Sequence, residues 1–254
     1  MVNEPPDRRG IQSVEIGMRV IDALRVAPSG MPLKALAEAA RLPTSNCHRY
    51  LVSFVRCGFV VQDPASGRYD LGPKLLQAGL AALARVDAVT IATEALRDVV
   101  EESGYTGQLA VWTDKGPVVI RWMVGRVAVR TSISVGALLP TLGTATGLAF
   151  LSFLPNRETS NFLRDEPNID RAAIAEIVAD VRAQGYATVS GSHIPGLSAV
   201  ACPVLDSSGE AAITMTLVGL ADGISTSAVG QLTDAAERAS FRLGARPRSA
   251  HGSL

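Results

Sequence analysis

Leu36-Ala37-Glu38-Ala39-Ala40-Arg41-Leu42-Pro43-Thr44-Ser45-Asn46-Cys47-His48-Arg49-Tyr50-Leu51 is the stretch whose reading decides the fold. Leu33, Leu36, Ala37 and Ala40 lie on one face of a short helix of about two turns. Arg41-Leu42-Pro43 is too short for anything but a turn. A second helix then runs from Thr44 or Ser45 as N-cap to about Arg56. Its inner face reads Cys47, Leu51, Phe54 and Val55, and its outer face Ser45, His48, Arg49 and Val52. Two short helices joined by a tight turn follow the helix-turn-helix plan, in which the second helix enters the major groove of DNA. The side chains on its first turns suit that task. Arginine chelates the guanine edge, asparagine pairs with adenine, and small hydroxyls reach a base edge or a phosphate. The N–H groups that begin a helix also hold phosphate. Thr44, Ser45, Asn46, His48 and Arg49 are therefore the candidate DNA-contacting residues.

Working outward, Val14, Met18, Ile21 and Leu24 trace the apolar face of a preceding helix, ended by Pro28-Ser29-Gly30. On the other side, Phe59–Gln62 and Arg68–Leu71 alternate as strands about the turn Asp63-Pro64-Ala65-Ser66-Gly67. That is a hairpin wing, with Arg68 placed to touch a phosphate or the minor groove. From Pro73 to about Glu102 two helices are expected, a linker over 73–84 and another ending before Gly104. Leu75, Leu76, Leu80, Leu83, Val86 and Val89 form an apolar seam along them, weakened at Gly79. A linker with such a stripe must bury it, and a second copy of the chain is the expected partner.

Beyond Gly104, strand-like runs cover 108–113, 117–124 and 126–133. Helices are expected at about 144–154 and 171–184, the latter burying Ile174, Ile177, Val178 and Val181. Strands recur at 187–190, 197–205 and 211–219, and a helix at about 226–243 closes the chain. Strands and helices are segregated rather than alternating, which points to an α+β domain with an antiparallel sheet.

Composition sets the limits. The chain has 254 residues, 47% of them apolar and 19% charged, which supports a packed core and excludes a disordered chain. Its 24 basic and 24 acidic side chains cancel. Residues 1–80 carry ten Lys and Arg against seven Asp and Glu, the sign expected of a part that meets an anion. No apolar stretch is long enough to span a bilayer, and the N-terminus has no apolar signal core. Three cysteines, Cys47, Cys57 and Cys202, make no disulfide framework. A cytoplasmic protein is expected. No nucleophile elbow, dinucleotide-binding glycine motif, phosphate-binding loop or zinc-protease motif occurs. The three histidines, His48, His193 and His251, lie far apart, so no metal, no cofactor and no catalytic site are assigned.

The order and spacing of these pieces resemble the IclR family of bacterial transcription regulators. Gln12-Ser13-Val14-Glu15, residues 36–45, His48-Arg49-Tyr50-Leu51, residues 58–64 and residues 67–72 carry the likeness in the first part. Gly136-Ala137-Leu138-Leu139-Pro140, Thr144-Ala145-Thr146-Gly147, Gly185-Tyr186-Ala187, Pro203-Val204 and Leu243-Gly244 carry it in the second. The resemblance implies a winged helix-turn-helix DNA-binding domain (1–72) and a linker helix (73–86). It implies a GAF/PAS-like effector-binding and oligomerisation domain (87–246), with a tail over 247–254. It also implies a dimer or dimer of dimers on a palindromic or pseudo-palindromic operator. Its small-acid sensors hold the ligand on backbone N–H groups before the Thr-Ala-x-Gly helix, which carries over to Leu139, Gly143, Thr144 and Ala145. The family's Asp position falls at Val189 or Ser190, its Cys position at Ala199, and its Ser positions at Thr216 and Val218. Most of those polar handles are missing here. Trp112, Trp122 and Met123 could wall a larger pocket, with the hydroxyls of Thr144, Ser190 and Thr216 fixing orientation. The expected effector is thus an aromatic acid or a lactone. The rival readings are a winged module that binds a protein, and an enzyme acting through Cys202 or Thr144.

Overall fold

The computed structural model describes residues 10–83, 85–127, 129, 131–164, 170–221 and 223–246. The chain divides into two compact units that meet at Arg85 and Val86. The tail expected over 247–254 lies outside the described residues.

The first unit holds α1 (Gln12–Val26), α2 (Leu33–Ala39), α3 (Thr44–Cys57), the hairpin β1 (Val60–Gln62) and β2 (Tyr69–Leu71), and α4 (Pro73–Leu83). Val20, Leu24, Leu36, Cys47, Leu51, Val60 and Tyr69 form its core. The inner face of α1 differs from the expected one. Ile21 and Leu24 are buried, but Val14 and Met18 are exposed, and Gly17 and Val20 take the inner positions. The reason lies in the partner helix. A Cβ on Gly17 would stand 3.0 Å from the Phe54 ring and 3.3 Å from the Tyr50 ring, so the two aromatics fill the space a side chain would occupy. Neither Thr44 nor Ser45 caps α3. Pro43 is its N-cap, without a side-chain hydrogen bond, and the helix begins one residue earlier than a hydroxyl cap would place it. Val55, expected inside, is exposed.

The second unit holds α5 (Ala88–Ser103), β3 (Thr106–Thr113), β4 (Gly116–Met123), α6 (Ala145–Phe153), α7 (Asn156–Arg164), α8 (Arg171–Gln184), β5 (Ala187–Ser190), β6 (Leu197–Leu205), β7 (Ala211–Leu220) and α9 (Thr226–Arg242). The five strands form one antiparallel sheet in the order β4-β3-β7-β6-β5. One face carries α5 and α9 over Leu109, Val200, Met215 and Leu217. The other carries α6 and α8 over Ala187 and Ala201. α6 is apolar all round and is buried along almost its whole length, as such a helix must be.

Among the described residues of 126–133, the expected strand is not formed. A Cβ on Gly125 would sit 2.3 Å from the carbonyl oxygens of Gly104 and Tyr105, so the chain turns there onto the end of α5. Val127 N–H donates to Gly104 O at 3.0 Å, and the Arg126 guanidinium donates to Glu102 O at 3.1 Å. The edge of β4 is taken instead by residues 136–139, through a bridge between Val118 and Leu138. α7 was not foreseen in the sequence. α8 buries Val181 but leaves Ile177 exposed.

Candidate functional site: the recognition helix and the ligand cavity

In the first unit, Cys47 and Leu51 seat α3 on the core. The opposite side presents Thr44, Ser45, Asn46, His48, Arg49 and Val52 to solvent. With proline as the cap, the hydroxyls of Thr44 and Ser45 make no capping bond, and the first N–H groups of α3 lack helical partners. Arg49 forms no ion pair among the described residues. Arg68, at the base of the wing, donates to Gly30 O at 2.8 Å and so ties the hairpin to the turn after α1. The wing tip is held by Asp63, which accepts from Ala65 N–H at 3.2 Å, Ser66 N–H at 3.1 Å and the Ser66 hydroxyl. Those bonds, the Ser66 hydroxyl first, hold its carboxyl below the ordinary carboxylate range.

In the second unit, a cleft opens at the N-terminus of α6. Its cavity volume is about 50 Å³. Its floor is a cross-strand row, Val189, Ala199 and Val218, paired in register across β5, β6 and β7. Thr144, Ala145 and Thr146 form the wall at the helix start, with Leu139 and Ile133 beside them. Residues 192–194, Ser192-His193-Ile194, stand at the other side. Gln108 from β3 completes the lining.

The Thr-Ala-x-Gly stretch builds that helix start. Thr144 Oγ1 accepts from Gly147 N–H at 3.0 Å and donates to Pro140 O at 2.7 Å. A Cβ on Gly147 would fall 2.2 Å from Thr141 O and 2.6 Å from Pro140 O, so only glycine lets the loop close on the helix. The remaining first-turn N–H groups have no helical partner, and with the helix dipole they favour an anion. Behind them runs a buried chain: Gln108 Nε2 donates to Thr146 Oγ1 at 2.9 Å, which lies 3.0 Å from Thr216 Oγ1. No Asp, Glu, Lys or Arg is among the described lining residues. A wider opening, about 470 Å³ by the same measure, runs along α9 past Thr233, Glu237 and Phe241. It has no unpartnered buried polar atom among the described residues, whereas the α6 cleft has one.

Two family descriptions match the chain. Residues 13–64 match the IclR helix-turn-helix domain, and residues 80–241 match the bacterial transcriptional regulator IclR C-terminal domain. This chain belongs to the IclR family. The transcriptional repressor IclR of Escherichia coli is 26% identical over 82% of this chain and 80% of its own. The crystal structure of Pseudomonas aeruginosa HmgR superposes with a TM-score of 0.84 at 34% identity, covering 94% of this chain and all of that one. An IclR homolog from Microbacterium hydrocarbonoxydans, complexed with 4-hydroxybenzoate, shares the fold, with a TM-score of 0.55 at 20% identity over 91% of this chain and 98% of that one. The chain is thus a DNA-binding transcription regulator with a C-terminal effector-binding domain, and its curated relatives are regulators rather than enzymes.

Within this IclR-family frame, Leu139, Thr144, Ala145, Val189, Ala199 and Val218 line the cleft. The other expected effector residues do not. Trp112 points away, packing on Phe150 at 5.6 Å and edge-on to Phe162 at 4.8 Å between ring centres. Trp122 and Met123 are not among the described lining residues, and Met123 packs on the core under α5 and α9. Gly143 lies in the preceding loop, Ser190 is exposed at the end of β5, and Thr216 is buried one layer behind Thr146. The Thr144 hydroxyl is committed to capping. Sequence reasoning missed Gln108, Thr146, Ser192 and His193. The signal for Gln108 was there: an amide in an otherwise apolar strand needs a partner.

Cys202, offered as a catalytic thiol, is buried in the core against α9, with Sγ 3.6 Å from Thr233 Oγ1. Among the described residues no His, Cys, Asp or Glu cluster could hold a metal, and no helix is long and apolar enough to cross a membrane.

Proposed function

We propose that this regulator binds a two-fold related operator as a dimer, with α3 of each protomer in a major groove, and releases or engages it in response to an aromatic acid. Thr44, Ser45, Asn46, His48 and Arg49 are the base- and phosphate-contacting set, and Arg68 steers the wing. Residues 1–72 act as the DNA-binding part, 73–86 as the linker and 87–246 as the effector part, in the cytoplasm. Ile11 at the cap of α1, Val14 and Met18 within it, and Leu76 and Leu80 of α4 are exposed, all large apolar residues in one small unit. A second copy of the chain is the natural cover for such a surface.

The observation that carries the effector assignment is the contrast within the α6 cleft. Its floor is apolar, while its wall at the start of α6 is a helix N-terminus, with Ser192, His193 and Gln108 as further polar lining. A flat ring with a carboxylate matches both, the acid on the N–H groups of Ala145 and Thr146 and the ring over Val189, Ala199 and Val218. A lactone would use the walls but not the dipole. The 4-hydroxybenzoate held by the Microbacterium homolog supports this class of ligand. The test is fluorescence anisotropy on the gene's own upstream DNA, with random duplex as control, in a salt series and with benzoates added. Tight binding to the upstream duplex alone, shifted by an aromatic acid, is the expected result. Tight, specific binding of glyoxylate or pyruvate instead would overturn the effector class, and loss of all DNA affinity at low salt would overturn the operator reading.

A further inference from the structure

Gln108 is 3% exposed. Its Nε2 is tied to Thr146, yet its Oε1 has no hydrogen-bond partner. The other such buried atom among the described residues, Thr214 Oγ1, does not line the cleft. Leaving a buried amide oxygen unpaired is costly to a folded chain. A glutamine also stands out beside the apolar floor of Val218, Ala199 and Val189. Its only structural bond could be dispensed with, because Thr146 keeps Thr216 as a partner.

We infer that Gln108 Oε1 is a ligand-binding atom that accepts a hydrogen bond from a hydroxyl of the effector, so the regulator selects hydroxylated aromatic acids over their deoxy counterparts. The inference rests on the reading of the α6 cleft as the aromatic-acid site. Two anchors then act together. The helix N-terminus takes the carboxylate, and Gln108, on β3, takes the hydroxyl. A deoxy acid in this cleft would leave Oε1 unsatisfied, which is how a buried polar group rejects an analogue that lacks its partner.

Full-length protein and the variant Gln108→Met, which keeps volume and removes the acceptor, are titrated calorimetrically with benzoate, the three hydroxybenzoates and the three methoxybenzoates. Their melting temperatures without ligand are measured in parallel. The expected result is at least about tenfold tighter binding of one hydroxybenzoate than of benzoate, a ratio that falls to about one in Gln108→Met. The ring position preferred reports the spacing of the two anchors. A hydroxyl preference that persists in Gln108→Met overturns the inference, as does a wild type that binds benzoate and hydroxybenzoates alike. A methoxybenzoate keeps an acceptor and loses the donor. Its binding as tightly as the hydroxy acid overturns the assignment of Oε1 as the atom met. If no acid binds the wild type, the aromatic-acid reading fails, and Gln108 is judged by the melting temperatures alone. A lower value for Gln108→Met marks the amide as structural and overturns the inference. An equal or higher value supports a ligand-facing role.

Discussion

Arg49 and Gly147 show two ways in which one residue serves this fold. Arg49 stands one turn into α3, exposed and unpaired with any carboxylate among the described residues. Arg49→Ala is expected to weaken specific operator binding by about 1–3 kcal/mol while leaving random-duplex binding nearly unchanged, measured by anisotropy on both duplexes. Equal losses on the two would mean that it meets only phosphate. Gly147 works through the absence of a side chain. Gly147→Ala would push a Cβ into the carbonyls of Thr141 and Pro140. A cost of about 3 kcal/mol in unfolding free energy is expected, together with loss of effector binding, because the displaced loop is the wall of the cleft. The glycine was visible in the sequence as part of a Thr-Ala-x-Gly motif. Its reason was not, since the carbonyls it accommodates come from a loop whose path over the helix no periodicity reports.

At the scale of elements, α4 and the wing make separable predictions. The seam read along 75–89 is divided in the structure. Leu75 packs into the first core, Val86 and Val89 pack into the second, and Leu76 and Leu80 stay exposed. The side chain of Leu83 lies outside those described. Leu76→Glu with Leu80→Glu should therefore leave the monomer folded by circular dichroism and shift its mass in sedimentation from dimer to monomer. An unfolded double variant would place these leucines in the chain's own core instead. The wing depends on Asp63, whose carboxyl is held below its ordinary value by the Ser66 hydroxyl and by the Ala65 and Ser66 N–H groups. A lowered value means that the charged form is favoured by the fold. Its contribution is complete above the unfolded carboxyl's value, about 3.9, and is lost as pH falls through the lower folded value. The Ala65 and Ser66 amide resonances should hold steady from neutral pH down to about 4 and move only below it, and Asp63→Asn should abolish that transition.

For the whole molecule, regulation requires that effector and DNA bind different states with different affinities. If an aromatic acid changes operator affinity by some factor, saturating operator must change acid affinity by the same factor, typically about 5–150-fold. Calorimetric titration of the acid with and without operator duplex measures one side, and anisotropy with and without acid the other. Unequal factors would show a third process, such as a change of oligomeric state, coupled to one of the two ligands. Salt separates the terms further, because operator affinity should fall steeply with salt through phosphate contacts while the effector factor changes little.

What the sequence by itself determined was most of the order of elements and, through the motifs that resemble it, the family. Helix-turn-helix, wing, linker, antiparallel sheet and closing helix follow from local periodicity and turn chemistry, which are short-range properties of the chain. Tertiary structure decided the rest. It chose which face of α1 is inside, because the rings of Tyr50 and Phe54 come from a helix thirty-odd residues away. It turned residues 126–127 onto α5 instead of into a strand. It drew Trp112 into a ring cluster with Phe150 and Phe162 and brought Gln108 to Thr146 in the lining of the cleft. These outcomes depend on which distant surfaces compete for burial and for hydrogen bonds, and a local pattern carries no record of that competition.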